Sequence, residues 1–193
     1  MKKSTFSPKL IFITGGVRSG KSSFAEKLAG KISKNIAFIA TAEPLDKEMT
    51  DRIEKHRAAR PASWKTYEES YKVGQVIKDV GEEIDVIIVD CLTLLVSNLM
   101  HNCQEKSLNK KLSDTINRKI NEIIQESLKG TATVIIVSNE VGLGLVPANP
   151  MGRFYRDTLG YANQIIAKNA EQVYLLVAGI PLLIKGNSDE AYF

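Results

Sequence analysis

The chain has 193 residues, 44% hydrophobic and 25% charged, which supports one globular domain with a real core across residues 1–193. Its net charge of +4 comes without a long run of Lys and Arg, so it suits phosphate ligands and argues against nucleic acid as a partner. No apolar stretch is long enough to span a membrane, no signal peptide stands out, and Cys91 and Cys103 form no metal-like cluster, so a reduced, cytoplasmic setting is expected.

The first predicted strand is Leu10 to Thr14. It runs into Gly15-Gly16-Val17-Arg18-Ser19-Gly20-Lys21-Ser22, which fits the P-loop pattern G-x-x-x-x-G-K-[ST], and Ser23 to Ala29 then reads as a helix. Gly15 and Gly20 let the backbone fold tightly, with its N–H groups turned toward a phosphate chain. The new helix adds its positive end. Lys21 can reach the β- and γ-phosphates, and Ser22 can hold Mg²⁺. The motif predicts a nucleoside triphosphate and leaves its use open.

Further buried strands are predicted at Asn35 to Ala40, Asp85 to Asp90, Thr133 to Ser138 and Gln172 to Ala178. Leu182 to Lys185, after Gly179-Ile180-Pro181, reads as an antiparallel edge. Helical faces lie between them: Met49, Ile53 and His56; Val73, Val76, Ile77 and Val80; Leu112, Ile116, Ile120 and Ile123, stopped by Gly130; and Tyr155, Leu159, Ala162 and Ile166. Leu92 to Met100 is apolar nearly all round and reads as a buried helix, and the tail from Gly186 reads as loose. Alternating strands and helices mean βαβ units and a mainly parallel sheet. Ligands of such sheets sit outside the carboxyl ends of the strands. That rule brings the P-loop, Ala40-Thr41-Ala42-Glu43, Asp90-Cys91, Ser138 to Gly142 and Gly179-Ile180-Pro181 to one cleft.

Several residues could carry chemistry there. Asp90 ends an apolar run in a Walker-B-like manner and could hold Mg²⁺, or it could cap the next helix. Glu140 could orient a water, accept a proton or contact Mg²⁺, or be a solvated loop residue. His56 lies between Arg52 at i−4 and Arg60 at i+4, and on one helix these cations would keep its ring neutral and draw in phosphates. A neutral imidazole so placed is a nucleophile candidate toward phosphorus. Its stripe with Met49 and Ile53, however, favours a core histidine on spacing alone. His101 reads as a helix C-terminal charge, and the cysteines as small buried hydrophobes. Trp64 could stack on a base, though core packing fits better, and Glu68 could read a guanine edge.

The order of motifs resembles the bifunctional adenosylcobinamide kinase/adenosylcobinamide-phosphate guanylyltransferase family. The matching residues are Gly15 to Ser22, Phe38 to Glu43, Asp46 to Met49, Arg52-Ile53, His56-Arg57, Arg60-Pro61 and Trp64. Asp90 to Thr93, Ser97 to Leu99, Ser138 to Gly144, Val146-Pro147, Arg153, Arg156-Asp157, Gly160 and Asn163-Gln164 continue it, so that it runs from about Leu10 to Lys185. The resemblance implies a RecA-like P-loop NTPase fold, a mainly parallel sheet with helices on both faces, and a homotrimer. It implies phosphorylation of adenosylcobinamide by ATP or GTP, then transfer of GMP from GTP to adenosylcobinamide-phosphate. It also implies that His56 forms a covalent guanylyl intermediate, which reverses the core reading of that residue. Gly15, Gly16, Val17, Arg18, Ser19, Gly20, Lys21, Ser22, Ala40, Thr41, Ala42, Arg57, Ala58, Ala59, Arg60, Glu68 and Asp90 match the family's nucleotide contacts.

The two transfers break different bonds, β–γ for the kinase and α–β for guanylyl transfer. One P-loop must therefore serve two registers, or the helix bearing His56 must move, with Glu43 to Asp46 as a candidate hinge. A regulatory GTPase and a RecA-type nucleic-acid-stimulated ATPase are the alternatives. The first needs an N-K-x-D-type motif, which is not found, and the second a basic stripe, whereas the basic residues here gather around His56.

Overall fold

The computed structural model describes residues 9–58, 60–101 and 108–187. Ala59, Cys103 and the end of the predicted loose tail lie outside the described residues. One seven-stranded sheet runs through the molecule in the order β3-β2-β4-β5-β1-β6-β7, built from β1 (Leu10–Gly15), β2 (Ile36–Ala40), β3 (Lys65–Glu68), β4 (Val86–Asp90), β5 (Thr133–Val137), β6 (Gln172–Val177) and β7 (Ile180–Lys185). All neighbours are parallel except β6 and β7.

The central strands are continuous apolar runs because both of their faces are covered. Every residue of β1, β2 and β5 is buried. Along β1 the side chains alternate between two cores: Leu10 and Phe12 enter one, Ile11 and Ile13 the other. The first core is roofed by α3 (Val73–Val80), α4 (Leu92–Met100), α5 (Lys110–Lys129) and α6 (Pro150–Asn169). The second is roofed by α1 (Lys21–Ile32) through Ala25, Leu28 and Ala29. Helices thus cover both faces, as expected, but unequally. The remaining helix, α2 (Lys47–Ala58), buries no residue at all.

β3 has no counterpart among the expected strands. It is four residues long, pairs only with β2, and shows no fully buried position. A short polar edge strand gives almost no hydrophobic signal. At the other edge, β7 begins two residues earlier than expected, because the hairpin turn is Ala178-Gly179, with φ of 51° and 85°. Two consecutive positive φ values fit a tight hairpin and leave Ile180 and Pro181 in the strand. Proline is tolerated there because the strand is an edge. Gly130 closes α5 as expected, but at φ −66° rather than in a left-handed turn.

Candidate nucleotide site

The P-loop is cut to shape by two glycines. Gly15 sits at φ +150°, and a Cβ there would lie 2.4 Å from the Leu176 carbonyl oxygen. Gly20 starts α1 at φ +92°, 3.2 Å from the Gly179 Cα by the same measure. Any side chain at either position would strain the turn. The loop is braced from both sides of β1: Glu140 N–H donates to Gly15 O (2.9 Å), and Gly179 N–H donates to Ser19 O (2.9 Å). Lys21 folds back over the turn and donates to Gly16 O (2.6 Å). Burial lowers its pKa below the ordinary lysine range, with Cys91 and then Asp90 partly restoring it. The buried Oγ of Ser19 and Oγ1 of Thr14 have no hydrogen-bond partner among the described residues. Unpaired polar atoms under a cradle of N–H groups suit a phosphate chain.

The neighbouring strand ends converge as the carboxyl-end rule requires. Thr41 N–H donates to Asp90 O (3.2 Å), and the Thr41 hydroxyl both donates to Cys91 O and accepts from Cys91 N–H (each 2.8 Å). Asn98 on α4 donates to Thr41 O (2.7 Å). The buried Thr41 side chain is therefore committed to joining β2 to β4, while Ala40 packs in the α1-side core with its carbonyl accepting from Glu69 N–H (3.0 Å), and Ala42 is half-buried. Asp90 is not a helix cap: Cys91 occupies that position before α4. Its carboxylate instead acts on Lys21, Glu26 and Arg60, so it faces the cradle. Glu140 is neither free nor fully solvated; its Oε1 accepts from Gly142 N–H (2.7 Å).

The basic segment departs from its expected geometry in two ways. His56 is exposed in the last turn of α2, so the apolar stripe with Met49 and Ile53 is not a core stripe. The helix ends at Ala58, so Arg60 does not share its face with His56. Arg60 turns onto the sheet instead, its guanidinium 3.6 Å above the Phe38 ring. A cation over an aromatic face is held without being neutralised, and its buried Nε has no partner among the described residues. Burial lowers its pKa, while Asp90 and Glu26 pull it back up. Arg57 pairs with Glu68 across to β3. Trp64 packs against the α1-side core, as expected.

Glu26 is a site neighbour that sequence reading missed. Burial and then Asp90 raise its pKa, opposed by Arg60 and His56, which places its carboxylate among the same charges. The available signal was its position four residues after Ser22 on one helix face. Missed too was a buried network behind the cleft. Ser138 Oγ donates to Asn163 Oδ1 (2.7 Å), Asn163 donates to Asn139 O (3.0 Å), and Asn139 N–H donates to Thr93 Oγ1 (2.8 Å).

No cluster of three or more His, Cys, Asp or Glu suited to a metal exists among the described residues. Ser22, in the first turn of α1, and Asp90, at the end of β4, are a hydroxyl and a carboxylate of the kind that would hold Mg²⁺, which keeps several waters and takes its other ligands from substrate phosphates. Among the described residues, no helix is long and apolar enough to cross a membrane.

A protein-family model described as cobinamide kinase / cobinamide phosphate guanyltransferase matches residues 11–184. The bifunctional adenosylcobalamin biosynthesis protein CobP of Pseudomonas aeruginosa is 41% identical over 174 residues, 90% of this chain and 96% of its own. The proteins named CobU of Salmonella typhimurium and Escherichia coli (strain K12) are 38% and 37% identical, each over 91% of this chain and 99% of their own. Among solved structures, the RadB recombinase aligns with a TM-score of 0.47 at 16% identity, over 88% of this chain and 75% of its own.

Proposed function

The chain belongs to the cobinamide kinase / cobinamide phosphate guanyltransferase family, and from that premise we propose how its two activities share one site. It is a bifunctional enzyme of cobalamin biosynthesis. In the kinase step the hydroxyl oxygen of adenosylcobinamide attacks the γ-phosphorus of ATP or GTP. The β–γ bond breaks, a nucleoside diphosphate leaves and the hydroxyl proton is released. In the second step a ring nitrogen of His56 attacks the α-phosphorus of GTP, the α–β bond breaks and pyrophosphate leaves. A phosphate oxygen of adenosylcobinamide-phosphate then displaces the imidazole, breaking the P–N bond and giving adenosylcobinamide-GDP.

The observation that carries this reading is the exposed His56 on α2, which together with Arg60 and Asp90 acts on the Glu26 carboxylate of the P-loop helix. Backbone N–H groups of Gly16 to Gly20 and the Lys21 ammonium hold the phosphate chain, and Arg57 and Arg60 stabilise charge on it. Glu68 reads the guanine edge, sharing its carboxylate with Arg57. Mg²⁺, held by Ser22 and Asp90, would supply charge neutralisation on the phosphates when bound. The reach between α- and γ-phosphorus is bridged by movement of α2 about Glu43 to Asp46. That helix has no buried residue to hold it, and Asp46 caps it by accepting from Met49 N–H (2.7 Å).

A homotrimer in the cytoplasm completes the reading. Exposed Ile180, Leu182 and Ile184 along the edge strand β7 support self-association. The test of the function is retention of label. Incubation with α-labelled GTP, then denaturation, should leave acid-labile, alkali-stable label on the protein. Absence of covalent label would remove the histidine intermediate.

A further inference from the structure

The loop after β5 is tied at both ends. Gly142 N–H donates to Glu140 Oε1 (2.7 Å), and Arg153 Nη1 donates to Pro147 O (3.1 Å) and Ala148 O (2.7 Å). Between these ties Leu143, Leu145 and Val146 are 87%, 96% and 65% exposed. Three apolar side chains held out in water by a tethered loop are a presented surface. Beside the loop, against α6, lies a cleft of about 380 Å³ lined by Gly142, Arg156, Asp157, Gly160, Tyr161 and Gln164.

Two features show that this cleft is kept open and polar. The Arg156 side chain is only 22% exposed, yet its one partner among the described residues is Asp157, reached by Nε at 3.8 Å. Its terminal nitrogens are left to bond something else. Gly160 stands inside α6, where glycine costs about 1 kcal/mol relative to alanine. A Cβ at Gly160 would meet nothing within 4 Å, so packing does not demand glycine there. What the missing side chain preserves is space.

We propose that this cleft and loop dock the corrinoid body of the acceptor, an inference that rests on the cobinamide reading above. Cobinamide is a broad, largely apolar macrocycle ringed by primary amide arms. An amide both donates and accepts, and the cleft offers the Arg156 donor, the Asp157 acceptor, and Tyr161 and Gln164, which can do either. The cleft has room for one arm, not for the macrocycle, which lies across Leu143, Leu145 and Val146. The position suits transfer: Gly142 is bonded to Glu140, whose N–H is bonded to Gly15 of the phosphate cradle. An acceptor seated there presents its reacting arm to the bound nucleotide.

Two variants of the full chain test this. Gly160→Leu fills the cleft, and Leu145→Ser removes apolar surface at a residue 96% exposed, where folding does not depend on it. Each is assayed for cobinamide phosphorylation with either substrate varied, and for cobinamide binding by equilibrium dialysis. The KM for cobinamide should rise on the order of tenfold, with a matching loss of binding, while the KM for GTP stays within about twofold. An unchanged cobinamide KM in Leu145→Ser overturns the proposal. So does a fall in sedimentation coefficient in either variant, which would assign the face to a second copy of the chain. Wild-type protein that neither phosphorylates cobinamide nor takes up α-label would instead sink the enzyme reading itself.

Discussion

Arg57 and Glu68 form an ion pair that ties the last turn of α2 to the end of β3. Both side chains are more than half exposed, at 59% and 53%. A pair so placed contributes at most about 1 kcal/mol, so it orients α2 without fixing it. It also holds the carboxylate that would read guanine beside the arginine that would meet the phosphates.

The first prediction follows from that sharing. Glu68→Gln should raise the KM for GTP in guanylyl transfer on the order of tenfold, because the amide sets an NH₂ donor against a guanine N–H where the carboxylate's second oxygen would accept. The Tm should move by less than about 3 °C, as expected for a surface pair. Steady-state kinetics with a thermal scan check both. A large loss of stability with unchanged KM would make Glu68 a structural residue.

His56→Ala should lose all α-label and guanylyl transfer while keeping most kinase activity, since the residue belongs to α2 and is not one of the P-loop residues that hold the phosphate chain. Lys21→Ala should impair both reactions, by on the order of a hundredfold. Equal labelling of the His56 variant and wild type would refute the nucleophile assignment.

Lys21 gives a dependence on pH. Burial lowers its native pKa, so the unfolded chain holds that proton more firmly. The cost of burying the charge is present in full below the native pKa. It is relieved as pH rises toward the unfolded value of about 10.4. Stability of the ligand-free protein should therefore gain from Lys21 over that alkaline window, and Lys21→Met should lack the gain. Urea midpoints for the two proteins across the window check this, with parallel curves counting against it.

Asn163 is the joint between β5 and α6. Asn163→Ala leaves the buried Ser138 hydroxyl and the Asn139 carbonyl without their partner. The loss should be about 2–3 kcal/mol, visible in chemical denaturation. Asn163→Asp should not recover it, because the buried carboxylate keeps the acceptor for Ser138 but faces the Asn139 carbonyl oxygen where an N–H donor is needed.

In native-state hydrogen exchange, α2 amides should exchange faster than those of α5, and bound GTP should slow them. The contrast is between a helix with no buried residue and one that buries Ile116, Ile120, Ile123 and Ile124. Equal protection in the ligand-free protein would remove the mobile half of the site.

Much of this molecule is legible in the chain alone. The P-loop is local: its glycines, Lys21 and Ser22 are contiguous, so their chemistry needs no partner from elsewhere. The central strands are equally plain, because burial on both faces demands unbroken apolar runs. The same logic hides β3, whose edge position relaxes that demand. It also misleads at α2, where Met49, Ile53 and His56 keep a helical period with no core to face. Period reports which residues share a side, not what covers it.

What the sequence determined by itself is the phosphate cradle, the mainly parallel sheet and the order of motifs that resembles one enzyme family. Only the tertiary structure decided where the charged groups stand. Arg60 leaves the histidine's helix for the face of Phe38, Arg57 crosses to Glu68, and Glu26 joins Asp90 from another element. The cleft on α6 is likewise set by the fold, since Arg156 and Gly142 meet only when the loop after β5 is tied back. Backbone conformation follows from near neighbours in the chain, whereas the field and the openings of a site depend on which distant segments the sheet brings together.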